Sequence, residues 1–171
     1  MNIKKKIAIA LAMTTICCAV LTACGDGEKT NGNSAVNATA SVEEDSVDVL
    51  TVAEKLKNDI TYKDSLNELS ESMIEKLFGL AAGTDYKAGK VYVGSGGATA
   101  EEIACFEGND SDSVNKIKEA LEQRVDSQKK AFENYQPQEM EKLNSPVLVV
   151  KGNSVCMCIS DDNSKAQEII G

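Results

Sequence analysis

The sequence predicts a single α+β domain, a mostly antiparallel sheet of about four strands packed with helices, preceded by a signal peptide and a flexible linker. Three observations lead there. Apolar residues recur at spacings of three and four over one long segment (Val114, Ile117, Leu121, Val125, Phe132, Tyr135), the period of an amphipathic helix. Two nearly continuous apolar runs, Val147–Val150 and Val155–Ile159, flank Lys151-Gly152-Asn153-Ser154, which is hairpin chemistry. Upstream, Gly25 to Asp48 holds no apolar residue larger than valine. Such a stretch cannot bury enough surface to order itself.

The N-terminus reads as an address. Lys4, Lys5 and Lys6 precede a 14-residue apolar run from Ile7 to Val20. That is short of the roughly 20 apolar residues needed to cross a bilayer core, and it suits the apolar region of a signal peptide. The run ends in Leu21-Thr22-Ala23-Cys24, the pattern of a lipobox. Small residues let the backbone enter a signal peptidase, and the Cys24 thiolate is the nucleophile that takes up a diacylglycerol. Two acyl chains hold a protein stably on a membrane, where one is marginal. Residues 1–23 are therefore expected to be cleaved, 24–48 to form a lipidated tether, and 49–171 to form the domain. As a coil, the tether would span roughly 27 Å r.m.s.. Cleavage removes three lysines and no acids, taking the net charge from −9 to −12. Anionic headgroups repel such a body, so the lipid alone would hold it to the extracytoplasmic face of the cell membrane.

Within the domain, Thr51 is expected to cap a short helix carrying Val52, Leu56 and Ile60. Ser70 precedes a second helix with Met73, Ile74, Leu77 and Phe78, closed by Gly79. Lys90–Val93 and Thr99–Phe106 read as strands around Gly94-Ser95-Gly96-Gly97. Asp110 and Ser111 open the long helix, expected over 112–135, and Pro137 suits the first turn of a short helix through Leu143. The two apolar runs of the hairpin predict strands in mid-sheet, covered on both faces. A last helix follows over about 162–170, starting at Asp161 or Asp162.

Composition excludes more chemistry than it suggests. There is no histidine and no Trp, and a single Arg stands among 18 basic residues against 27 acidic ones. Without imidazole there is no Ser-His-Asp or Cys-His catalysis and no histidine metal site. Nucleic acid rewards clustered Lys and Arg, and stacking platforms need aromatics, so no nucleic-acid partner is expected. No cofactor or metal is expected either.

Arg124, Gln128 and Tyr135 are the candidate ligand-binding residues. Their offsets along a helix put all three within about 40° of one another, beside the stripe of Leu121, Val125 and Phe132. A guanidinium at the edge of a core could clamp a carboxylate or phosphate, with Gln and Tyr as neutral donors. The structural alternative pairs Arg124 with a carboxylate of the domain, and buried polar groups favour it. The Gly94–Gly97 loop lacks the following helix that a phosphate cradle needs, and reads as a flexible hairpin loop. Asn109–Asp112 and Asp161–Asn163 sit where helices begin, and capping explains them. Glu101 and Glu102 are adjacent, so on a strand they point to opposite faces and cannot flank one bond. Of the mature chain's other cysteines, Cys156 and Cys158 share a strand face about 6.6 Å apart, near the limit for a disulfide. Cys105 could bridge to either, but small buried apolar residues is the favoured reading of all three.

The stretch AEEIACF (100–106), then Arg124, Gln128, Phe132, Tyr135 and Pro137, then GNSVCMCISDD (152–162), resembles bacterial lipoproteins of the domain of unknown function 4358 family. The resemblance implies a lipid-anchored extracytoplasmic α+β domain and supplies no activity. The expected role is a non-enzymatic binding or interaction protein, with the membrane and a protein at the cell surface as partners. The rival expectation is a cell-surface enzyme or a small anionic-ligand-binding domain using Arg124, Gln128 and Tyr135.

Overall fold

The computed structural model describes residues 47–171. The signal peptide, Cys24 and nearly all of the expected tether lie outside the described residues. Helix α1 (Val49–Asp59) is opened by Asp48, whose carboxylate accepts the backbone N–H groups of Leu50 and Thr51. The cap is thus Asp48, and Thr51 donates its hydroxyl to it. Strand β1 (Leu66–Glu68) leads into α2 (Glu71–Phe78), which ends on Gly79 in the left-handed region at φ 68°. Strands β2 (Ala88–Gly94) and β3 (Glu102–Glu107) precede the long helix α3 (Ser111–Phe132). Asp110 and Ser113 exchange side-chain and backbone bonds at its start, a capping box. A 3-10 turn (Pro137–Glu139), α4 (Met140–Asn144), β4 (Val147–Lys151), β5 (Ser154–Ile159) and α5 (Asn163–Ile170) complete the order.

The strands form one antiparallel sheet of five in the order β1-β2-β3-β5-β4. Side-chain alternation sends Val91, Ala104, Phe106, Val155, Met157 and Ile159 to a core shared with α2, α3 and α4. The opposite set, including Tyr92, Ile103, Cys105, Cys156 and Cys158, packs on α1 and α5. Both faces are covered, so the domain is a sandwich of helices, sheet and helices. Gly89 serves this packing directly: a Cβ there would lie 2.4 Å from the Phe106 ring.

Three expectations change. The sheet has five strands rather than four, because β1 is only three residues of mixed polarity. Strand β5 is interior and fully buried, whereas β4 lies at the sheet edge with Val150 43% exposed. Helix α3 stops at Phe132 rather than 135, and Tyr135 falls in the turn beyond it.

Edge geometry follows from the hairpin. Lys151 and Ser154 flank its two-residue turn, so they form a hydrogen-bonded pair, and such pairs then alternate along the ladder. Leu148 and Val150 fall at the intervening positions and turn their N–H and C=O groups outward. By the same alternation Cys105 and Cys156, paired across β3 and β5, occupy a non-hydrogen-bonded site with Cα atoms about 4.5 Å apart.

Candidate functional site

Glu102 begins β3 on the face that α3 covers. Arg124 and Gln128, one helical turn apart on α3, both reach it. The guanidinium closes on the carboxylate in a fork: Nε donates to Oε1 and Oε2 at 3.2 and 3.1 Å, and Nη2 donates to Oε2 at 2.7 Å. Gln128 Nε2 adds a bond to Oε2 at 2.6 Å. The Glu102 side chain is 1% exposed and that of Arg124 21%. Burial pushes the Glu102 carboxyl above its ordinary value, while Arg124 and the Gln128 amide pull it down.

The sequence-predicted trio is therefore brought together only in part. Arg124 and Gln128 share one partner and line one cleft. Tyr135 is 63% exposed, and its ring packs beside that of Phe132 at a centroid distance of 6.4 Å. Helical spacing places it with the others only if the helix continues, and it does not.

The cleft has a volume of about 230 Å³, bounded by α3, the end of β2 and the loop after it. Its lining includes Gly94, Thr99, Glu102, Arg124, Gln128 and Phe132. Two buried oxygens, Gln128 Oε1 and Thr99 Oγ1, have no hydrogen-bond partner among the described residues. The loop itself is pinned, contrary to the flexible hairpin expected. Asp64 accepts the Gly96 N–H at 2.6 Å, the Ser95 hydroxyl at 2.9 Å and the Ser65 N–H at 2.8 Å. These bonds hold the Asp64 carboxyl below its ordinary value, the Gly96 bond most strongly. The glycine-rich loop thus cradles an anion after all, and the anion is Asp64.

A second charged cluster escapes sequence reasoning altogether. Lys142 is 3% exposed, and its ammonium lies 3.2 Å from Glu101 Oε1 and 2.8 Å from Glu139 Oε2. Glu101 also accepts the N–H groups of Lys63 and Asp64, and Glu139 accepts that of Ala100. This network ties the loop after α1, the entry to β3 and α4 into one buried knot. Nothing in the residue types reveals it, because Glu and Lys on short helices ordinarily face water.

The three described cysteines are free and buried. Burial raises the Cys105 thiol well above its ordinary value and raises Cys158 as well. Cys105 and Cys156 stand within disulfide reach, but exchange needs a thiolate, which burial suppresses. Alkylation without reductant is expected to leave all three untouched in the native protein and to modify all three after denaturation. Mass spectra showing two of them unmodified in the denatured chain would establish a bridge. Among the described residues no cluster of Cys, Asp or Glu could hold a metal ion, and no helix is long and apolar enough to cross a membrane.

Fold and site together define a helix-covered antiparallel domain braced by two buried ionic clusters beside one polar cleft. The chain belongs to the family described as Domain of unknown function (DUF4358), whose model matches residues 58–160. That span holds both ionic clusters and the cleft. No curated protein and no solved structure matches the chain.

Proposed function

We propose that the chain is a lipid-anchored protein of the extracytoplasmic membrane face that binds a target rather than transforming one. One observation carries the binding half: an open cleft of about 230 Å³ lies against α3, and its charged groups are consumed in internal bonds. A group already closed on a partner is poorly placed for acid–base or nucleophilic work, which needs a free lone pair or proton. The rival reading, an anion clamp or enzyme built on Arg124, Gln128 and Tyr135, needs a free guanidinium. Here the guanidinium is forked onto Glu102, and Tyr135 stands outside the cleft. For a protein partner at the cell surface, the outward N–H and C=O groups of Leu148 and Val150 favour an added strand along β4.

The anchoring half rests on the lysines, apolar run and lipobox that end at Cys24. Full-length protein is expected to take up labelled fatty acid and to fractionate with membranes. Cys24→Ser is expected to lose both properties. A Cys24→Ser protein that still labels and sediments with membranes would refute the anchor.

A further inference from the structure

We infer that residues 36–42, within the expected tether, close the open edge of the sheet as a sixth strand, antiparallel along β4. The two edges of the sheet are protected differently. Strand β1 is only three residues long and carries Asn67 and Glu68, which suits an edge. Strand β4 is longer, and Val147 to Val150 holds no charge and no proline and pairs with β5 without a bulge. Leu148 and Val150 turn their N–H and C=O groups outward, and no strand lies beyond them among the described residues. A groove of about 400 Å³ runs beside this edge, and its lining includes Val125, Pro146 and Leu148. Val150, on the same side as Leu148 by strand alternation, is 43% exposed. An apolar edge of this kind invites another strand, and native proteins cover it.

The chain's own upstream segment has the pattern that fits. Val36-Asn37-Ala38-Thr39-Ala40-Ser41-Val42 alternates apolar and polar over seven residues, the period of a strand with one covered face. It has too little apolar surface for a core of its own, and the edge with its groove supplies one. Residues opposite one another in an antiparallel pair share a face. The small apolar set, Val36, Ala38, Ala40 and Val42, therefore turns into the groove beside Leu148 and Val150. No charge is brought in beside Glu122 and Asp126, which also line it. The point of entry of the described chain selects this occupant. The Val47 carbonyl accepts the Ser154 hydroxyl at 3.0 Å, and Val47 stands with Val149, Lys151 and Ile170 at the hairpin end of β4. Glu43 to Ser46 link Val42 to Val47 and reach at most about 17 Å, which covers the roughly 14 Å length of β4. So short a link gives an effective concentration on the order of millimolar. A second copy would have to set a net charge of −12 against another −12. A strand from a protein partner must displace residues 36–42, so the edge opens to it only by exchange.

The test is hydrogen exchange at the Leu148 and Val150 amides, read by NMR on the full chain in detergent micelles. Both are expected to exchange about tenfold or more slowly than an open edge allows, with no change on dilution. Ala38→Pro with Ala40→Pro removes two backbone donors from the segment and is expected to abolish that protection. A pair of single variants reads the alternation. Ala40→Asp places a charge in the groove beside Glu122 and Asp126 and is expected to release the segment, whereas Thr39→Asp, on the opposite face, is expected to keep it. All these changes lie outside the described domain, and its urea midpoint serves as the control for folding. Unprotected amides in the wild-type chain would overturn the inference and leave the edge open to the protein partner proposed above. Protection that survives both prolines would overturn it as well. Protection that fades on dilution would assign the edge to a second copy instead.

Discussion

Replacing Lys142 by methionine is expected to destabilise the domain by about 3–5 kcal/mol, the usual cost of stranding a buried charge. Methionine fills much of the same space, so the loss is electrostatic rather than a cavity. The lysine ammonium is the shared cation of Glu101 and Glu139, each at most 2% exposed. Without it, two buried carboxylates are left with only the backbone N–H groups of Lys63, Asp64 and Ala100 and no cation between them. Urea denaturation should show a lower midpoint with an unchanged slope, the sign of lost stability without altered compactness. Adding Glu139→Gln to that variant removes one stranded charge and keeps an acceptor for the Ala100 N–H. The double variant should recover about half of the loss. A Lys142→Met protein within about 0.5 kcal/mol of wild type would show that the knot contributes no net stability.

Arg124→Met is expected to cost roughly 3 kcal/mol or more at neutral pH, by the same reasoning applied to Glu102. It carries a pH signature of its own. Burial already holds the Glu102 carboxyl above its ordinary value of 4.5, against the pull of Arg124 and Gln128. Removing the guanidinium lets it rise further. A carboxyl whose folded pKa exceeds its unfolded one is favoured in its protonated form, and that advantage is lost as pH rises through the folded value. The gap in melting temperature between variant and wild type should therefore be widest at neutral pH. It should narrow as pH falls toward 4.5. Were Arg124 a free ligand clamp, its removal would leave stability unchanged or raised, as is common at functional sites.

What the sequence revealed was what neighbours in the chain decide. Asp110 before a polar first turn, Gly79 after Phe78, and Gly152-Asn153 between apolar runs are local signals, and each marks the element boundary it predicts. Strand β1 has no such signal, because three residues cannot display a period. The runs of β4 and β5 look alike in composition, yet one is an edge and the other interior. That difference is settled by the β3–β5 pairing, a contact between distant segments. The candidate site divides along the same line. Arg124 and Gln128 share a helix face, so their proximity was legible from spacing. Their partner was not, since choosing Glu102 over the other acids requires the register of β3 beneath α3. Tyr135 was misplaced because the segment from Lys129 to Pro137 carries no residue that marks the helix end at Phe132.

Arg124 belongs to the fold through its fork on Glu102. A double-mutant cycle over Arg124→Met and Glu102→Gln, followed by equilibrium unfolding at pH 7, measures that pairing most directly. The predicted result is a coupling of about 2 kcal/mol or more, with the double variant more stable than Arg124→Met alone. Additive effects, or an Arg124→Met protein that melts at or above the wild-type temperature, would contradict it.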